Sequence, residues 1–328
     1  MKNMRIFLLG LAVVVASALT AIIAIPAQAE TITLRLATYD PNTSTTVSGV
    51  PIFQKVVEEK SKGRLKIDWV GGPEVTGSKE QPAAVKRGVL DLSVAWAYVL
   101  HVPAYNAAHL SLLNPLEERK SGFYDLVVGE FEKKGFRYLG RMHFGSPFAI
   151  VTTRKAEKPA DLKGLGFRTS GIYEPIIDLV GGVKVRVSNT EVYTALQQGL
   201  IQSRPAPMAT VVAFKLYEVL KYWVGPAFFP AGNTILAMNL RKFNSLPADL
   251  QKVLVDAAEE TERQLIPLKR RELDEAWREA QTGGMKRILW PKDVSQRFFN
   301  DVMDLSWKRV KKRVGEDLIK KMRPLMVK

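Results

Sequence analysis

The residue in this chain best placed to do chemistry is an arginine. In KPADLKGLGFRTSG (158–171), Arg168 follows a glycine-rich approach and precedes Thr169-Ser170-Gly171, at the end of a short strand and just ahead of a helix start. A guanidinium is a permanent cation whose planar, paired N–H groups match a carboxylate. The free N–H groups of a helix start favour an anion as well, and the glycines free the backbone to bring both to one place. Chemistry of other kinds is thin. The three histidines, His101, His109 and His143, have neither the one-turn spacing nor the tight cluster of a zinc site, and each reads as a surface or interface imidazole. With no cysteine, thiolate metal sites, disulfides and a lipid-modified N-terminus are excluded. No nucleophile elbow, Walker loop or dinucleotide glycine fingerprint occurs. The acidic pairs Glu58-Glu59 and Glu259-Glu260 belong to solvated helical charge patterns. No catalytic residue, metal or cofactor is expected.

The elements that must position Arg168 alternate between strands and helices. Residues 1–29 read as a signal peptide: Lys2 and Arg5, an apolar run from Ile6 to Ile25, then Ala27-Gln28-Ala29 as a cleavage site. An uncleaved anchor is the other reading of that run. Export points to the periplasm and argues against nucleic acid as the partner of a chain with net charge +15. Strands are predicted over 31–38, 64–70, 91–96, 137–142 and 147–153, with helices between them, the order of an open α/β sheet. The second part repeats this. Strands are predicted at 165–169 and 183–187, helices at 173–180, from the Ser188-x-x-Glu191 capping box to Gly199, and over 210–222, and a further strand at 233–240. From Pro247 to Gln281 the pattern is helical with Pro267 inside, predicting one bent helix across both lobes or two in sequence. The basic tail, 307–328, reads as a solvated helix face or as a dimer contact through C-terminal helices.

Three segments, KPADLKGLGFRTSG, VSNTEVYTALQQGLIQ (187–202) and FKLYEVLKYW (214–223), resemble the periplasmic solute receptors of TRAP transporters, the DctP-like family. The leader and a long C-terminal helix after LPADLQ (246–251) fall in the family's order. The resemblance implies an α/β, two-lobed periplasmic binding protein of type II-like form. Its open mixed β-sheets would be flanked by helices, with a long helix spanning both lobes. The first lobe would take 30–152 plus about 236–280, and the second 153–235 plus about 281–328. It implies no enzyme but a receptor that closes on a small organic anion and delivers it to membrane permease subunits. In the family the strand arginine pairs with the substrate carboxylate, and that position here is Arg168.

Departures from the family pattern shape the pocket. Where the family reads VDGQENP, this chain reads IQSRPAP (201–207), with Gln202 for the acid, Ala206 for a substrate-contacting asparagine, and a new Arg204. Phe148 stands in the region where some families place a second arginine. Polar groups are lost and an apolar wall is gained, which favours a smaller or more aromatic carboxylate over a sugar acid. Arg204 is either the second positive contact or an outward-facing surface group. Trp96, Tyr173, Tyr39, Trp223 and Phe228 are aromatic candidates for the cleft; core packing is the competing reading for each. Met208, Asn233 and Glu80 complete the candidate ligand-binding set. A sensor acting on a membrane signalling partner, and a periplasmic hydrolase, are the competing functions.

Overall fold

The computed structural model describes residues 30–102, 104–169, 171–188, 191–229 and 234–327. The expected leader, residues 1–29, lies outside them.

The first sheet grows from alternation. In β1 (Ile32–Thr38), Leu34 and Leu36 are buried between exposed Thr33 and Arg35. Helix α1 (Gly49–Ser61) presents Val50, Phe53, Val56 and Val57 to that face at helical spacing. Strand β2 (Leu65–Gly71), helix α2 (Gln81–Arg87) and strand β3 (Leu92–Trp96) follow. Two helices, α3 (Pro115–Ser121) and α4 (Phe123–Glu132), lead into β4 (Phe136–His143). The Asn114–Glu117 capping box starts α3.

The chain then changes sheet. β5 (Phe148–Thr152), β6 (Gly166–Arg168), α5 (Glu174–Leu179), β7 (Val183–Val185), α6 (Val192–Gln197), β8 (Ser203–Pro207), α7 (Met208–Ala213) and β9 (Tyr222–Phe228) build the second unit. Strand β10 (Thr234–Asn239) returns to the first sheet, whose order is β2-β1-β3-β10-β4 with β10 antiparallel to its neighbours. After α8 (Leu240–Ser245) and α9 (Ala248–Thr282), β11 (Lys286–Ile288) closes the second sheet in the order β11-β9-β5-β8-β6-β7. These are two mixed sheets with helices on their faces, as the fold class anticipated.

Two expectations shift, and of the two alternatives for the long helix one is found. Strand β5 belongs to the second sheet, so the first crossover falls between His143 and Phe148 rather than after residue 152. The helix expected over 210–222 stops at Ala213, and its last residue, Tyr222, begins β9, which runs between β5 and β11. Helix α9 runs unbroken through Pro267. Pro267 and Arg263, whose carbonyl loses its helical donor, both lie on the exposed face, where water serves the orphaned oxygen. Leu250, Leu254, Ala258 and Leu265 bury the first half of α9 against the first unit, and Ala276 and Ala280 bury the second half against α7.

Helix α10 (Lys292–Val314) and helix α11 (Glu316–Met322) end the chain. Phe298, Val302, Trp307 and Val310 of α10 are buried in a core continuous with both sheets. The apolar stripe a dimer contact would need is thus used inside the chain, and the expected pairing of two copies finds no support. Lys308, Lys311, Lys312 and Arg313 face solvent. The last residues dock on the first unit, not the second: the Leu112 N–H donates to Met326 O at 2.9 Å and Ser121 Oγ to Leu325 O at 2.7 Å.

Candidate functional site

The basic half of the site sits on β6 and β8. Gly164, at φ +76°, makes the turn into β6 that a side chain would strain. Gly166 has no room for one either, since a Cβ would come 3.0 Å from Leu200 O. Gln202, which stands where an acid was expected, is a strut: its Oε1 accepts the Gly166 N–H at 2.8 Å. The parallel register setting Phe167 opposite Ser203 puts Arg168 beside Arg204, and neighbours across a parallel pair share a face. Pairing to β6 is confined to Ser203, ahead of Pro205 and Pro207, so the missing proline donors cost β8 nothing on that side.

The two arginines differ in depth. Arg168 is half-buried, its Nε donating to Val187 O at 3.2 Å. Among the described residues it enters no salt bridge. Arg204 is only 2 % exposed. Burial pushes its pKa down to about 10, Tyr173 partly opposing and the Arg168 charge adding to the push. The Arg168 charge thus pushes Arg204 the same way as burial does, while Tyr173 pushes it back. An anion placed between the two would relieve both.

Tyr173 joins this pair to an aromatic cluster. Its ring lies 5.8 Å from that of Phe148. Phe148 in turn meets Phe229 at 6.3 Å, and Phe229 meets His109 at 4.7 Å. Phe148 is the first residue of β5 and points to the opposite face from Val151, the register partner of Arg204. Tyr173, acting on Arg204 and touching Phe148, connects the two faces at the sheet's end.

The first unit contributes the strand ends that face the crossovers. Trp96, half-buried at the end of β3, donates its Nε1–H to Asp40 Oδ2 at 2.9 Å. Thr46 Oγ1 donates to the same oxygen at 2.6 Å. Burial raises the Asp40 pKa against these two bonds. Tyr39, next to Asp40, is half-buried, with its N–H on Val94 O at 2.8 Å. His143, which ends β4, lies edge-on to Trp96 with ring centroids 6.4 Å apart and is 2 % exposed. Lys269 reaches in from α9, its ammonium donating to Thr45 O, to Ser48 Oγ at 2.7 Å and to Glu272 Oε2 at 2.9 Å. Thr234, opposite both Trp96 and His143, donates to Thr46 O at 3.0 Å. Ligands in open α/β folds bind outside the carboxyl ends of the strands, which is where this group stands.

The nine expected site residues thus separate. Arg168, Arg204 and Tyr173 come together, with Phe148 against Tyr173, and Trp96 and Tyr39 stand on the opposing unit. Met208 is packed in the apolar cluster with Ala149, Val151 and Ala206. Glu80 is exposed at the head of α2. Asn233 lies outside the described residues. Of the other aromatic candidates, Trp223 meets Trp277 of α9 edge-on and Phe228 meets Phe298 of α10 edge-on, both as core. Sequence reasoning missed Asp40 and took His143 for a surface or interface group. His109, expected the same way, is buried against Phe229, while His101 is exposed. Among the described residues no cluster of three metal-ligating side chains occurs.

The sequence family described as bacterial extracellular solute-binding protein, family 7 (DctP) matches residues 36–313. The 2,3-diketo-L-gulonate-binding periplasmic protein YiaO of Escherichia coli is 25 % identical over 284 residues, spanning 82 % of this chain and 84 % of that protein. Two solved structures share the fold. DctP7 of Bordetella pertussis, a receptor binding pyroglutamic acid, is 20 % identical with a TM-score of 0.74, covering 90 % of this chain and 99 % of that one. A TRAP periplasmic solute-binding protein of Desulfovibrio salexigens with bound orotic acid is 20 % identical with a TM-score of 0.77, covering 90 % and 98 %.

Proposed function

Because this chain belongs to the bacterial extracellular solute-binding protein family 7, a family of receptors and not of enzymes, we propose that it is a periplasmic receptor. It captures a small organic anion between its two lobes and delivers it to the membrane permease of a TRAP-type secondary transporter. The observation that carries this reading is the side-by-side placement of Arg168 and Arg204, one of them buried and loaded by the other's charge. Two adjacent guanidiniums are costly until an anion sits between them. Each charge-assisted bond to a carboxylate then returns about 1.5–3 kcal/mol.

The ligand class follows from the surroundings. Tyr173 and Phe148 give the anion's body an aromatic surface. Trp96 and Tyr39 offer more from the facing lobe. A compact carboxylate with a flat or apolar body suits this better than a polyhydroxylated sugar acid. Pyroglutamic and orotic acids, bound by the two structural neighbours, are compact ring carboxylates and make sensible first probes. The lobes follow the sheets: the first carries residues up to His143 and β10, the second β5 to β9 and β11.

A thermal-shift screen of mono- and dicarboxylates tests the reading, since a ligand binding only the folded state stabilises by RT ln(1 + [L]/Kd). We expect a saturable rise with wild type that Arg168→Ala abolishes. No rise across the panel, or an undiminished rise in Arg168→Ala, would overturn the carboxylate assignment.

A further inference from the structure

His143 has no task in the anion site just described, yet it is one of the most isolated polar groups in the molecule. It is 2 % exposed, and neither Nδ1 nor Nε2 makes a well-formed hydrogen bond among the described residues; the one acceptor near the ring, Thr45 O, already takes the Lys269 ammonium. The Oγ of Ser146, in the crossover that follows, is buried and in the same condition. Buried polar groups are satisfied in the great majority of cases, and each exception calls for an explanation. Leaving one unmade costs about 1–3 kcal/mol.

The surroundings rule out the ordinary explanations. The nearest cation, Lys269, is committed to Thr45, Ser48 and Glu272. Asp40, on the far side of Trp96, is committed to Trp96 and Thr46. Burial first, and the Lys269 charge second, hold the His143 pKa well below its usual value, against a weaker upward pull from the Thr45 carbonyl. The ring is therefore a neutral imidazole, with one N–H donor and one bare nitrogen acceptor. It ends β4, beside Trp96 and opposite Thr234, on the strand-end face that looks across the crossovers.

We propose that His143 reads a neutral polar group at the far end of the solute, so that the receptor selects carboxylates carrying a hydroxyl, carbonyl or amide over plain hydrocarbon acids. The inference rests on the carboxylate reading above: the arginines take the anionic end and His143 the neutral end. A second carboxylate is a poor fit, because it would be best met by an imidazolium, which burial and Lys269 disfavour. A hydrocarbon in the same place would leave both ring nitrogens and Ser146 Oγ still unsatisfied.

The test uses matched pairs of probes by titration calorimetry: pyroglutamate against cyclopentanecarboxylate, and lactate against propionate. We expect wild type to prefer the polar member of at least one pair by about tenfold or more. His143→Phe should bring that preference within about threefold while leaving the apolar member's affinity unchanged. A preference that survives in His143→Phe, or equal binding of both members by wild type, overturns the role of His143 and leaves the carboxylate reading standing. Failure of all four probes to bind wild type counts against the carboxylate reading itself, and this inference falls with it. A second measurement does not depend on the variant folding. With three histidines in the chain, 15N-imidazole NMR can follow His143 directly, and the polar probe should move its ring nitrogens where the apolar one does not. Unmoved signals at saturation would overturn the proposal.

Discussion

Two arginines in this molecule are almost equally hidden, Arg141 at 0 % exposure and Arg204 at 2 %, and they serve opposite ends. Arg141, on β4, is locked to Glu118 of α3, and its backbone N–H donates to Glu262 of α9 at 2.7 Å. Glu262 also takes Arg119 at 2.6 Å. Two guanidiniums and two carboxyls bind α3, β4 and α9 together, with burial pushing Glu118 up to about 7 against the opposing pull of Arg141. Burial pulls the Arg141 pKa down, but Glu118, Tyr105, Tyr138 and Glu262 outweigh it and leave the group above the ordinary arginine value. Arg204, by contrast, ends below that value, with Arg168 adding to the effect of burial. The lesson is that burial alone does not make a guanidinium structural. A buried cation compensated from within holds the fold; one pushed the wrong way by a neighbouring cation is, on the function proposed above, the one that meets an anion from outside.

The largest expected effect breaks the compensated side. Glu118→Gln keeps the shape of the side chain but leaves Arg141 without its counter-charge, and breaking a buried pair from one side costs about 3–5 kcal/mol. Urea unfolding should show this as a lower midpoint with little change in slope. Arg204→Met is the matching variant in the second lobe. The Arg204 pKa lies below the ordinary arginine value where that of Arg141 lies above it, so removing the charge should cost less stability than Glu118→Gln does. Equal losses in both variants would erase the distinction between the two arginines.

That distinction was only partly legible in the sequence. Arg168 stood out because glycines and a strand–turn–helix setting framed it, and those cues are local. Arg204 was visible as a departure from a pattern, but its orientation was not, because Pro205 and Pro207 argued against the strand that carries it. β8 tolerates them since its pairing to β6 ends at Ser203. The helix read across 210–222 failed because the apolar spacing of FKLYEVLKYW suits a helix as well as a turn leading into a buried strand. Asp40 left no signal: its role depends on Trp96, a residue brought to it by the pairing of β1 with β3. His143 sits in a strand buried on both faces, where the alternation that marks an exposed position is lost. The alternating strands, α1 and the long helix were legible because their cues repeat along the chain.

Next in size are the binding effects, which sharpen the comparison from the ligand's side. Arg168→Ala and Arg204→Met should each weaken a bound carboxylate by about 10- to 100-fold, the equivalent of one charge-assisted bond. Glu118→Gln, measured where it is still folded, should leave affinity within about threefold. Calorimetry on the three variants separates the classes. Loss of affinity in Glu118→Gln equal to that in Arg204→Met would mean the buried quartet also shapes the site.

A smaller effect concerns pH. The folded protein holds the His143 pKa well below the ordinary imidazole value of about 6.5, burial acting first and Lys269 second. Above that value both folded and unfolded chains carry a neutral ring, and His143 adds nothing to the pH dependence. As pH falls through it, the unfolded chain takes a proton that the folded one refuses, so stability is lost on the acid side. Between about pH 7.5 and about pH 5, the melting temperature of wild type should fall more than that of His143→Phe. Parallel curves for the two proteins would show that His143 is protonated in the fold as easily as outside it.

The smallest effect sets the baseline for the rest. Lys252 and Asp256 on α9 form an ion pair 2.6 Å apart with side chains 73 % and 40 % exposed, as close as the buried pairs but in water. Solvent screens the attraction, and ordering two long side chains offsets what remains. Lys252→Ala should therefore move the melting temperature by no more than about a degree, and added salt should abolish even that. If this exposed pair instead mattered as much as Glu118, distance rather than burial would govern the ion pairs of this protein. The contrast between Arg141 and Arg204 would then need another cause.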